Sequence, residues 1–486
     1  MKRIGALAMG LAWFLGQSAQ AQTTVTDVGQ FSGTGHYYSV YAFGNVNSFG
    51  QVSGYGKDIT FTDTAFRWSK STGIFEELYP LGGPFTFLYC YGQDINDSGT
   101  VVGFVAASYS YDEHIVYWDS AGVIHDLFTL SGGFGARGWG INDLGEITGE
   151  SDTASGSRHA VYWDGMSLND LGVPAGYSKS AGADINNAGT IAGHAEDAQG
   201  IRVAHKFSAG TWQSLGLLDG YSNSQSVRIN SAGNVCGFAK EGNTTMAFFH
   251  DGTMHAIGTF GGSKSTAYGI NNLDFVVGTA TNAAGESRAF LWKNGHLVNL
   301  NDILPMGSPW TLWSATGIND SNEICGWGYR ADIDDFHSFL LVPGAFLVGK
   351  VGLNLFAGDP TGLGAMLELR APGTTNVLYN YPIALDAQGQ YLVPEIATGT
   401  FDLAVKFDHF LRKVIPSVTL ATGYNEADFT VVNGDANSDN SVDLMDLNAI
   451  LLNFGLTSSA DLDGVAPVSI SDLNIVLTNF GSAGPN

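Results

Sequence analysis

A nine-residue phrase recurs seven times in the first two thirds of the chain and limits the fold more than any other feature. It consists of an aliphatic residue, an asparagine, two residues, usually a glycine, one residue, a β-former, one residue and a closing glycine. The asparagines, spaced 41 to 49 residues apart, are Asn47, Asn96, Asn142, Asn186, Asn230, Asn271 and Asn319. Repeats of this length are typical of the four-stranded blades of β-propellers. The chain is therefore predicted to be all-β and to begin with a seven-bladed β-propeller over residues 22–344.

Each phrase predicts a β-hairpin. In the fourth repeat it runs from Ile185 to Gly193, with a strand on either side of the turn. Asparagine and aspartate accept left-handed or side-chain-bonded turn geometry, and glycine supplies a positive φ at low steric cost. The asparagines are therefore interpreted as turn residues. A metal site at each Asn–Asp pair is the alternative, which is disfavoured because no second acidic group recurs nearby.

Two more strands complete each predicted blade. A third strand of alternating aromatic and aliphatic residues, such as Ala289–Trp292, follows every hairpin, and a short fourth strand such as Leu81–Gly82 follows six of them. A matching fourth-strand sequence, Thr24–Gly29, stands before the first hairpin. The N-terminal strand is therefore expected to complete the last blade near Val342 and to close the ring, which leaves no unpaired sheet edge.

The repeats also support a family resemblance. The phrases Gly-Ile-Asn-x-x-Gly-x-Val-x-Gly and His-Ala-Phe-x-Trp resemble the HAF-type extracellular repeat family of bacteria over about residues 24–343. The resemblance implies a secreted β-rich repeat protein and no established chemistry. Three histidines, His114, His159 and His337, begin third strands at equivalent positions. We expect them to hydrogen-bond between strands or blades rather than to bind a metal or act as a general base.

The N-terminus and the charge limit where the protein acts. Residues 1–21 have the features of a secretory signal peptide: Lys2 and Arg3, the apolar run Ile4–Gly16 and a small-x-small cleavage motif ending at Ala21. No stretch is long and apolar enough to predict a transmembrane segment. The formal charge of −25 excludes nucleic acid as a natural partner. The mature protein is therefore expected to be secreted and extracellular or associated with the cell surface.

A second domain is predicted after Pro343, where a different alternation begins. Short predicted strands separated by glycine or proline turns are typical of a small β-sandwich over residues 345–432. The runs Gly389–Tyr391 and Gly399–Leu403 are similar to carboxypeptidase-regulatory-like and prealbumin-like modules. That similarity implies a spacer without catalytic residues.

Residues 433–486 contain the most specific chemical signal. Positions 1, 3, 5, 7, 9 and 12 of a calcium loop are filled by Asp435, Asn437, Asp439, Ser441, Asp443 and Asp446. Oxygen ligands at alternate positions of a tight loop, closed by a carboxylate from the following helix, suit Ca²⁺. Asn440 replaces the usual glycine at position 6, and asparagine tolerates the positive φ required there. Calcium is therefore the predicted cofactor.

The loop and its helix are duplicated at an offset of 26 residues. The second loop is degenerate, and its candidate ligands are Asp461, Asp463, Ser469 and Asp472. Val465 at position 5 offers no side-chain oxygen, so we expect a strong first site and a weak or empty second one. The pair of units resembles a type I dockerin module, which implies calcium-dependent folding and a cohesin-like partner. Positions 10 and 11, Leu444-Met445 and Ile470-Ser471, depart from the small hydroxyl pair of classical dockerins.

The sequence thus favours a secreted, non-catalytic binding or surface-attachment protein. An acidic propeller would bind a polysaccharide or protein ligand, and the C-terminal module would anchor the chain to a cell-surface or scaffold protein. The alternative is an extracellular carbohydrate-active enzyme, a glycosidase or lyase, with its site in the propeller funnel. A structural cell-surface component is a third possibility. No catalytic residue is identified, because no Ser-His-Asp or paired-carboxylate constellation stands out.

Overall fold

The computed structural model describes residues 22–29, 40–41, 44–57, 63–80, 87–107 and 112–485. The predicted signal peptide and Leu81–Gly82 lie outside the described residues. The described chain is all-β apart from two short α-helices and a single 3-10 turn, Leu300–Ile303. It divides into two compact units, Thr23–Pro343 and Gly344–Asn486. Among the described residues, no helix has the length and apolar character needed to cross a membrane.

The unit Thr23–Pro343 is β-propeller-like, because it consists of successive four-stranded antiparallel meanders. The N-terminal strand is β1 (Thr24–Gly29), and the first three meanders are β2 to β5 (Val40–Tyr41, Gln51–Lys57, Asp63–Ser69, Phe75–Leu78), β6 to β9 (Phe87–Ile95, Val101–Ala107, Glu113–Trp118, Ile124–Phe128) and β10 to β13 (Ala136–Ile141, Ile147–Asp152, Arg158–Trp163, Leu168–Asp170). The next three are β14 to β17 (Lys179–Ile185, Ile191–Glu196, Arg202–Ser208, Thr211–Gly216), β18 to β21 (Asn223–Ile229, Val235–Glu241, Thr244–His250, Met254–Ala256) and β22 to β25 (Gly261–Ile270, Val276–Asn282, Ser287–Lys293, His296–Asn299). The last meander contains β26 to β28 (Trp310–Ile318, Ile324–Arg330, Asp335–Val342). A single parallel bridge, Thr245 to Lys264, joins β20 to β22.

The N-terminal strand supplies the fourth strand of the last meander. Strand β1 pairs antiparallel with β28, with Thr24 opposite Val342 and Thr26 opposite Leu340. The sheet order is β1-β28-β27-β26. Val28 is buried in a cluster that includes Leu340 and Phe66. The two ends of this unit are therefore tied together within one sheet.

A repeated side-chain clip shows that β1 is equivalent to the other fourth strands. His114 and His159 on third strands bond through Nδ1 to Asp126 and Asp170, both at 2.9 Å. His337 on β28 bonds in the same way to Asp27 of β1, at 2.9 Å. Each aspartate also accepts a hydrogen bond from the backbone N–H two residues later. The three histidines therefore bond between neighbouring strands of one sheet.

The repeated asparagines link each hairpin to the next. The Nδ2 group of every asparagine donates to the backbone carbonyl of the following asparagine at 2.9 to 3.1 Å. The last bond, from Asn319 to Asn47, closes the cycle. Within each hairpin the Oδ1 atom accepts from backbone N–H groups, as Asn186 does from Thr190. Each asparagine therefore serves as a turn residue and as a bridge between repeats.

The glycine of the repeated phrase has two replacements. Asp274 and Asn322 occupy its position with φ values of 61° and 60°. Aspartate and asparagine enter the left-handed region more readily than other side chains. The turn geometry is therefore retained in the sixth and seventh repeats.

The ion pairs of Asp27 predict that the unit Thr23–Pro343 loses stability in acid. Burial raises the pKa of Asp27, but hydrogen bonds from His337, the Gly29 N–H and Arg330 outweigh it and leave the pKa below its usual value. A lowered carboxylate pKa stabilises the fold above the unfolded-state value of about 3.9, and this contribution is lost as the pH falls further. We expect Asp27→Asn to lower the melting temperature at pH 7 and to have a smaller effect at pH 3. A melting-temperature difference that stays constant between these pH values would contradict this assignment.

The unit Gly344–Asn486 contains two four-stranded sheets around one core. The first sheet has β29 (Phe346–Leu353) between β32 (Gln390–Val393) and the short strands β36 (Tyr424–Glu426) and β37 (Phe429–Val431). The second has the order β31 (Val377–Ala384), β30 (Gly364–Arg370), β33 (Gly399–Lys406), β35 (Lys413–Leu420). A two-stranded ladder, β34 (His409–Phe410) with β38 (Asn433–Asp435), leads into the C-terminal helices.

The two helices, α1 (Leu444–Asn453) and α2 (Ile470–Asn479), belong to a duplicated arrangement. Val442 accepts from Gly481 N–H at 2.8 Å and donates to the Ser482 carbonyl at 2.8 Å. Val468, 26 residues later, exchanges the corresponding bonds with Gly455 and Leu456 at 2.8 and 3.0 Å. The segment after each helix therefore pairs with the loop that precedes the other helix.

Candidate functional site

The first candidate site is the loop Asp435–Asp446. Asp446, the first-turn carboxylate of α1, is fully buried and accepts from the backbone N–H groups of Asn437 and Asp443 at 3.1 and 2.7 Å. Its pKa is raised by burial and by the nearby charges of Asp435 and Asp439. Asn440 adopts the expected positive φ of 75°. The loop thus folds back onto its closing carboxylate, as an EF-hand-like loop requires.

The first ligand position of this loop also holds a protein cation. Asp435 Oδ2 accepts from Lys406 Nζ at 2.7 Å and from Asn440 N–H at 2.8 Å. Its other carboxylate oxygen, Oδ1, is buried and has no hydrogen-bond partner among the described residues. An unpaired buried carboxylate oxygen is costly. The donor set of the loop therefore fits a hard cation, and Lys406 competes for one of its oxygens.

The second loop brings three carboxylates together. Single oxygens of Asp461, Asp463 and Asp472 lie within 4.8 Å of one another. The pKa of Asp461 is raised by burial, by the charge of Asp472 and by its contact with Asp463. Asp472 is held in place by the N–H groups of Leu462 and Ser469. Within the described part of the chain no cation pairs with these three carboxylates, so together they suit Ca²⁺. Val465 is solvent-exposed and offers no side-chain oxygen.

The remaining predicted ligands cap the helices or stiffen the loops. Asp443 and Ser469 are the N-cap residues of α1 and α2, and each forms a capping box with the aspartate three residues later. Asn437 Oδ1 accepts from Asp439 N–H, and Asp439 Oδ1 accepts from Ser441 N–H. These bonds fix the backbone of the first loop. The expectation that the first loop binds Ca²⁺ strongly and the second weakly or not at all stays a prediction.

The second candidate site is a cavity of about 800 Å³ in the unit Thr23–Pro343. The first strand of six meanders has a β-bulge three residues before its repeated asparagine. The bulged residues, which all line the cavity, are Gln93, Trp139, Ala183, Val227, Tyr268 and Thr316. Bulges re-aim side chains and are frequent beside binding sites. The repeated backbone therefore presents a set of unlike side chains to one space.

A buried ion-pair network borders this cavity through Arg228. The Arg228 guanidinium is 3.6 Å from the Asp94 carboxylate and 3.9 Å from that of Asp184. Burial and the charge of Asp94 raise the pKa of Asp184, while Arg228 opposes this rise. Arg228 also borders the smaller cavity formed by the ring of asparagines. Arg228 therefore lines both cavities.

Glycines make room for this network. The three charged residues stand two positions before the repeated asparagine, where three of the other four repeats have Gly140, Gly269 and Gly317 and the first has Asn45. A Cβ atom on Gly140 would lie 2.7 Å from the Asp184 Cα atom, which is too close for any side chain. Glycine is therefore required there by a close approach between neighbouring meanders.

The rim of the cavity carries alternating charges. Arg158 bonds to Glu150 and Asp152, each at 3.0 Å, while Glu196 accepts from Lys179 at 2.6 Å and from Arg202 at 2.8 Å. Burial raises the pKa of Glu150, against the lowering effect of Arg158 and Arg137. Burial also lowers the pKa of the lining residue His194 to about 4, so this histidine is neutral at pH 7.

Aromatic side chains form an arc on the cavity wall. Tyr55 contacts Tyr91 edge to face at a centroid distance of 4.8 Å, and Tyr91 stacks on Phe104 at 4.6 Å. Trp139 continues the arc at 5.7 Å from Phe104. The arc crosses three successive meanders. Its members are apolar surfaces beside a charged rim, which is the composition expected of a small-molecule site.

The comparisons with known proteins give remote structural matches only. No protein-family model and no curated protein matches the chain. A chain from a type II cohesin–X-dockerin complex of Acetivibrio cellulolyticus is 22% identical over 29% of this chain and 98% of its own, with a TM-score of 0.25. The β-propeller domain of the Trilobed protease from Pyrococcus furiosus is 10% identical over 55% of this chain and 97% of its own, with a TM-score of 0.33. A puromycin-hydrolysing peptidase from Mycobacterium tuberculosis is 12% identical over 77% of this chain and 58% of its own, with a TM-score of 0.41. Similarity at these values assigns no function.

Proposed function

We propose that this chain is a secreted, non-catalytic binding protein with two working parts. A closed seven-bladed propeller of the HAF-repeat type binds a ligand in the 800 Å³ cavity, and a dockerin-like C-terminal module attaches the chain to a surface partner when calcium is bound. The observation that carries the binding assignment is the cavity itself, with six bulged residues of unlike chemistry on one repeated backbone. The ring of asparagine hydrogen bonds and the β1–β28 pairing support the closed seven-bladed arrangement.

The rim carboxylates are assigned to recognition rather than to acid–base chemistry. Glu150 and Asp152 share Arg158, and Glu196 is held between Lys179 and Arg202. A glycosidase needs one carboxyl group to donate a proton and a second carboxylate to act as nucleophile or base. Lys179 and Arg202 lower the pKa of Glu196 and hold it as a hydrogen-bond acceptor, and Arg158 pairs with both Glu150 and Asp152. These pairings support binding over hydrolysis, whereas the raised pKa of Glu150 is the one feature that a general acid would share.

Calcium is expected to stabilise the C-terminal helices. Binding at either loop removes repulsion among carboxylates and couples ligand affinity to folding. We expect millimolar Ca²⁺ to raise the melting temperature of α1 and α2 by about 10 °C, and a chelator to reverse this shift, as monitored by far-ultraviolet circular dichroism. Asp446→Asn, which keeps the side-chain shape, should remove the tight binding event in calorimetric titration, and Asp472→Asn should remove only the weak event of the second loop. Lys406→Met should tighten the first event, because it frees Asp435.

The control for the calcium experiment is Asp386→Asn, which changes an exposed acidic turn residue outside both loops. It should leave both binding events unchanged. Titrations that show no Ca²⁺ binding to the unmodified chain would contradict the calcium assignment. Two equally tight events would contradict the expected order of the two sites.

Attachment is assigned to exposed apolar side chains on the helices. Leu444 and Ile470 occupy equivalent loop positions, and Leu451 and Leu477 occupy equivalent helix positions, each more than half exposed. Such residues normally mark an interaction surface when they cluster. We expect Leu451→Glu combined with Leu477→Glu to reduce calcium-dependent retention on envelopes of the producing cell at least tenfold, while calcium affinity is unchanged. Equal retention of the double variant, or retention that ignores calcium, would contradict the assignment.

A further inference from the structure

We propose that the 800 Å³ cavity binds a neutral oligosaccharide and that Trp139 stacks against one of its sugar rings. This inference rests on the proposed binding function and specifies the chemical class of its ligand. Three properties of the lining support a neutral sugar: the aromatic arc, the compensated charges of the rim and two buried polar atoms without partners among the described residues.

Trp139 is the aromatic residue best placed to contact a ligand. It is the bulged residue of β10, it lines the cavity and it is only partly buried. The ring of Phe104 contacts the indole edge to face, at an interplanar angle of 62°. This contact fixes the indole without stacking on it, so that a sugar ring can stack there. A pyranose ring presents a flat patch of C–H groups that packs well on an aromatic face. The cavity volume also lies within the range of about 300–1,000 Å³ that is usual for small-molecule sites.

The polar lining suits hydroxyl groups better than a net charge. The rim offers guanidinium and ammonium donors from Arg158, Arg202 and Lys179, and three carboxylate acceptors from Glu150, Asp152 and Glu196. These groups already neutralise one another through bonds of 2.6 to 3.0 Å. An anionic ligand would need a cation without a partner, whereas a hydroxyl both donates and accepts hydrogen bonds. A neutral, hydroxyl-rich ligand therefore matches the rim.

Two residues of the cavity lining carry a buried polar atom without a hydrogen-bond partner in the described part of the chain. Ser226 Oγ and Arg228 Nε are buried and have no hydrogen-bond partner among the described residues. Both residues line the cavity, and their exposed fractions are 3% and 8%. Buried polar groups are normally satisfied by protein, water or ligand. The hydroxyl groups of a bound sugar would supply a hydrogen-bond acceptor for Arg228 Nε and a hydrogen-bond donor or acceptor for Ser226 Oγ.

The test is calorimetric titration of the calcium-loaded mature chain with defined sugars. The neutral probes are cellohexaose, xylohexaose, mannohexaose and maltohexaose, and the acidic probe is tetragalacturonate. We expect one neutral probe to bind with an affinity that is unchanged by about 0.5 M NaCl, because no net charge is recognised. Trp139→Ala should weaken that binding at least tenfold, Trp139→Phe should weaken it less, and Trp163→Ala should leave it unchanged. Trp163 is the matched control, since it lies on β12 of the same meander and does not line the cavity.

Each outcome decides the proposal. Failure of all four neutral probes to bind would overturn it, as would salt-sensitive binding of tetragalacturonate alone. Equal losses in the Trp139 and Trp163 variants would show a structural effect and would overturn the assigned position. Cleavage of a bound hexasaccharide would support the ligand class and overturn the non-catalytic proposal. Calcium-dependent attachment is measured separately with the helix variants, so its failure is distinguishable from failure at the cavity.

Discussion

Replacing Arg228 by methionine is expected to lower the free energy of unfolding of the Thr23–Pro343 unit by about 3–5 kcal/mol. The substitution removes the cation that lies 3.6 Å from Asp94 and 3.9 Å from Asp184. Both carboxylates are buried, so each would face the low-dielectric interior without a counter-charge. The cost comes mainly from these two unpaired anions rather than from lost packing, because methionine keeps most of the apolar stem.

The compensating variant separates charge from packing. Combining Arg228→Met with Asp94→Asn and Asp184→Asn removes all three charges and retains an oxygen that accepts from the Ile141 and Ile229 N–H groups. We expect the triple variant to recover at least half of the lost stability, since neutral replacements of a buried ion network are often tolerated. Urea unfolding followed by tryptophan fluorescence measures both changes. A single variant within about 0.5 kcal/mol of the unmodified chain would contradict the role of this network.

The Arg228→Met variant should lose less stability, relative to the unmodified chain, at acidic pH than at neutral pH. Asp184 already has a raised pKa because of burial and the charge of Asp94. Loss of Arg228 removes the opposing effect and raises this pKa further. A carboxyl group with a raised folded-state pKa stabilises the fold as the pH falls below that pKa. The difference between Arg228→Met and the unmodified chain should therefore shrink between pH 8 and pH 5.

The sequence predicts the repeated part of this fold well because its signals are local. Asn186 and Gly189 specify a turn within a few residues, and the same chemistry recurs in every repeat. The pairing of Thr24–Gly29 with β28 was predictable from matching phrases, since Asp27 and Gly29 repeat the Asp170 and Gly172 arrangement. Periodicity thus identifies both the strands and the aspartate that hydrogen-bonds to the histidine of the neighbouring strand.

The candidate binding site was missed because its residues do not repeat. Trp139, Tyr268 and Gln93 occupy one position of the repeat with three different side chains, so no periodic signal marks them. They meet only because the meanders follow one another around the asparagine ring. Comparing the residues two and three places before each asparagine would have found them, since variation on a constant backbone is what a binding site requires.

The contact of Lys406 with the first predicted calcium loop could not be inferred from the sequence. Lys406 precedes Asp435 by 29 residues and belongs to a strand of the neighbouring sheet. Its contact depends on how β33 packs beside the β34–β38 ladder, which no local pattern reports. The loop spacing predicts candidate ligands, whereas the relative affinity of the two loops also depends on contacts made by other elements.

Deleting residues 22–29 is expected to have the largest effect on stability of any change in the propeller-like unit. The deletion removes β1, which pairs with the edge of β28. It also removes the buried side chain of Val28 and the contacts of Asp27 with His337 and Arg330. It would expose an unpaired edge on β28, whose Phe339, Leu340 and Leu341 are fully buried. Unpaired apolar edges promote aggregation. We expect a loss of at least about 5 kcal/mol, which is a large part of the stability of a typical domain.

A peptide added in trans distinguishes ring closure from a general effect of truncation. A synthetic peptide of residues 22–30 should restore the melting temperature of the truncated chain, because its register on β28 is fixed by Asp27 and Val28. The same peptide carrying Val28→Asp should not restore it, while Thr26→Ala, at an exposed position, should. If the truncated chain keeps its full resistance to heat and protease, the N-terminal strand does not close the ring. The proposed seven-bladed arrangement would then lose its strongest support, because the last meander would be stable with three strands alone.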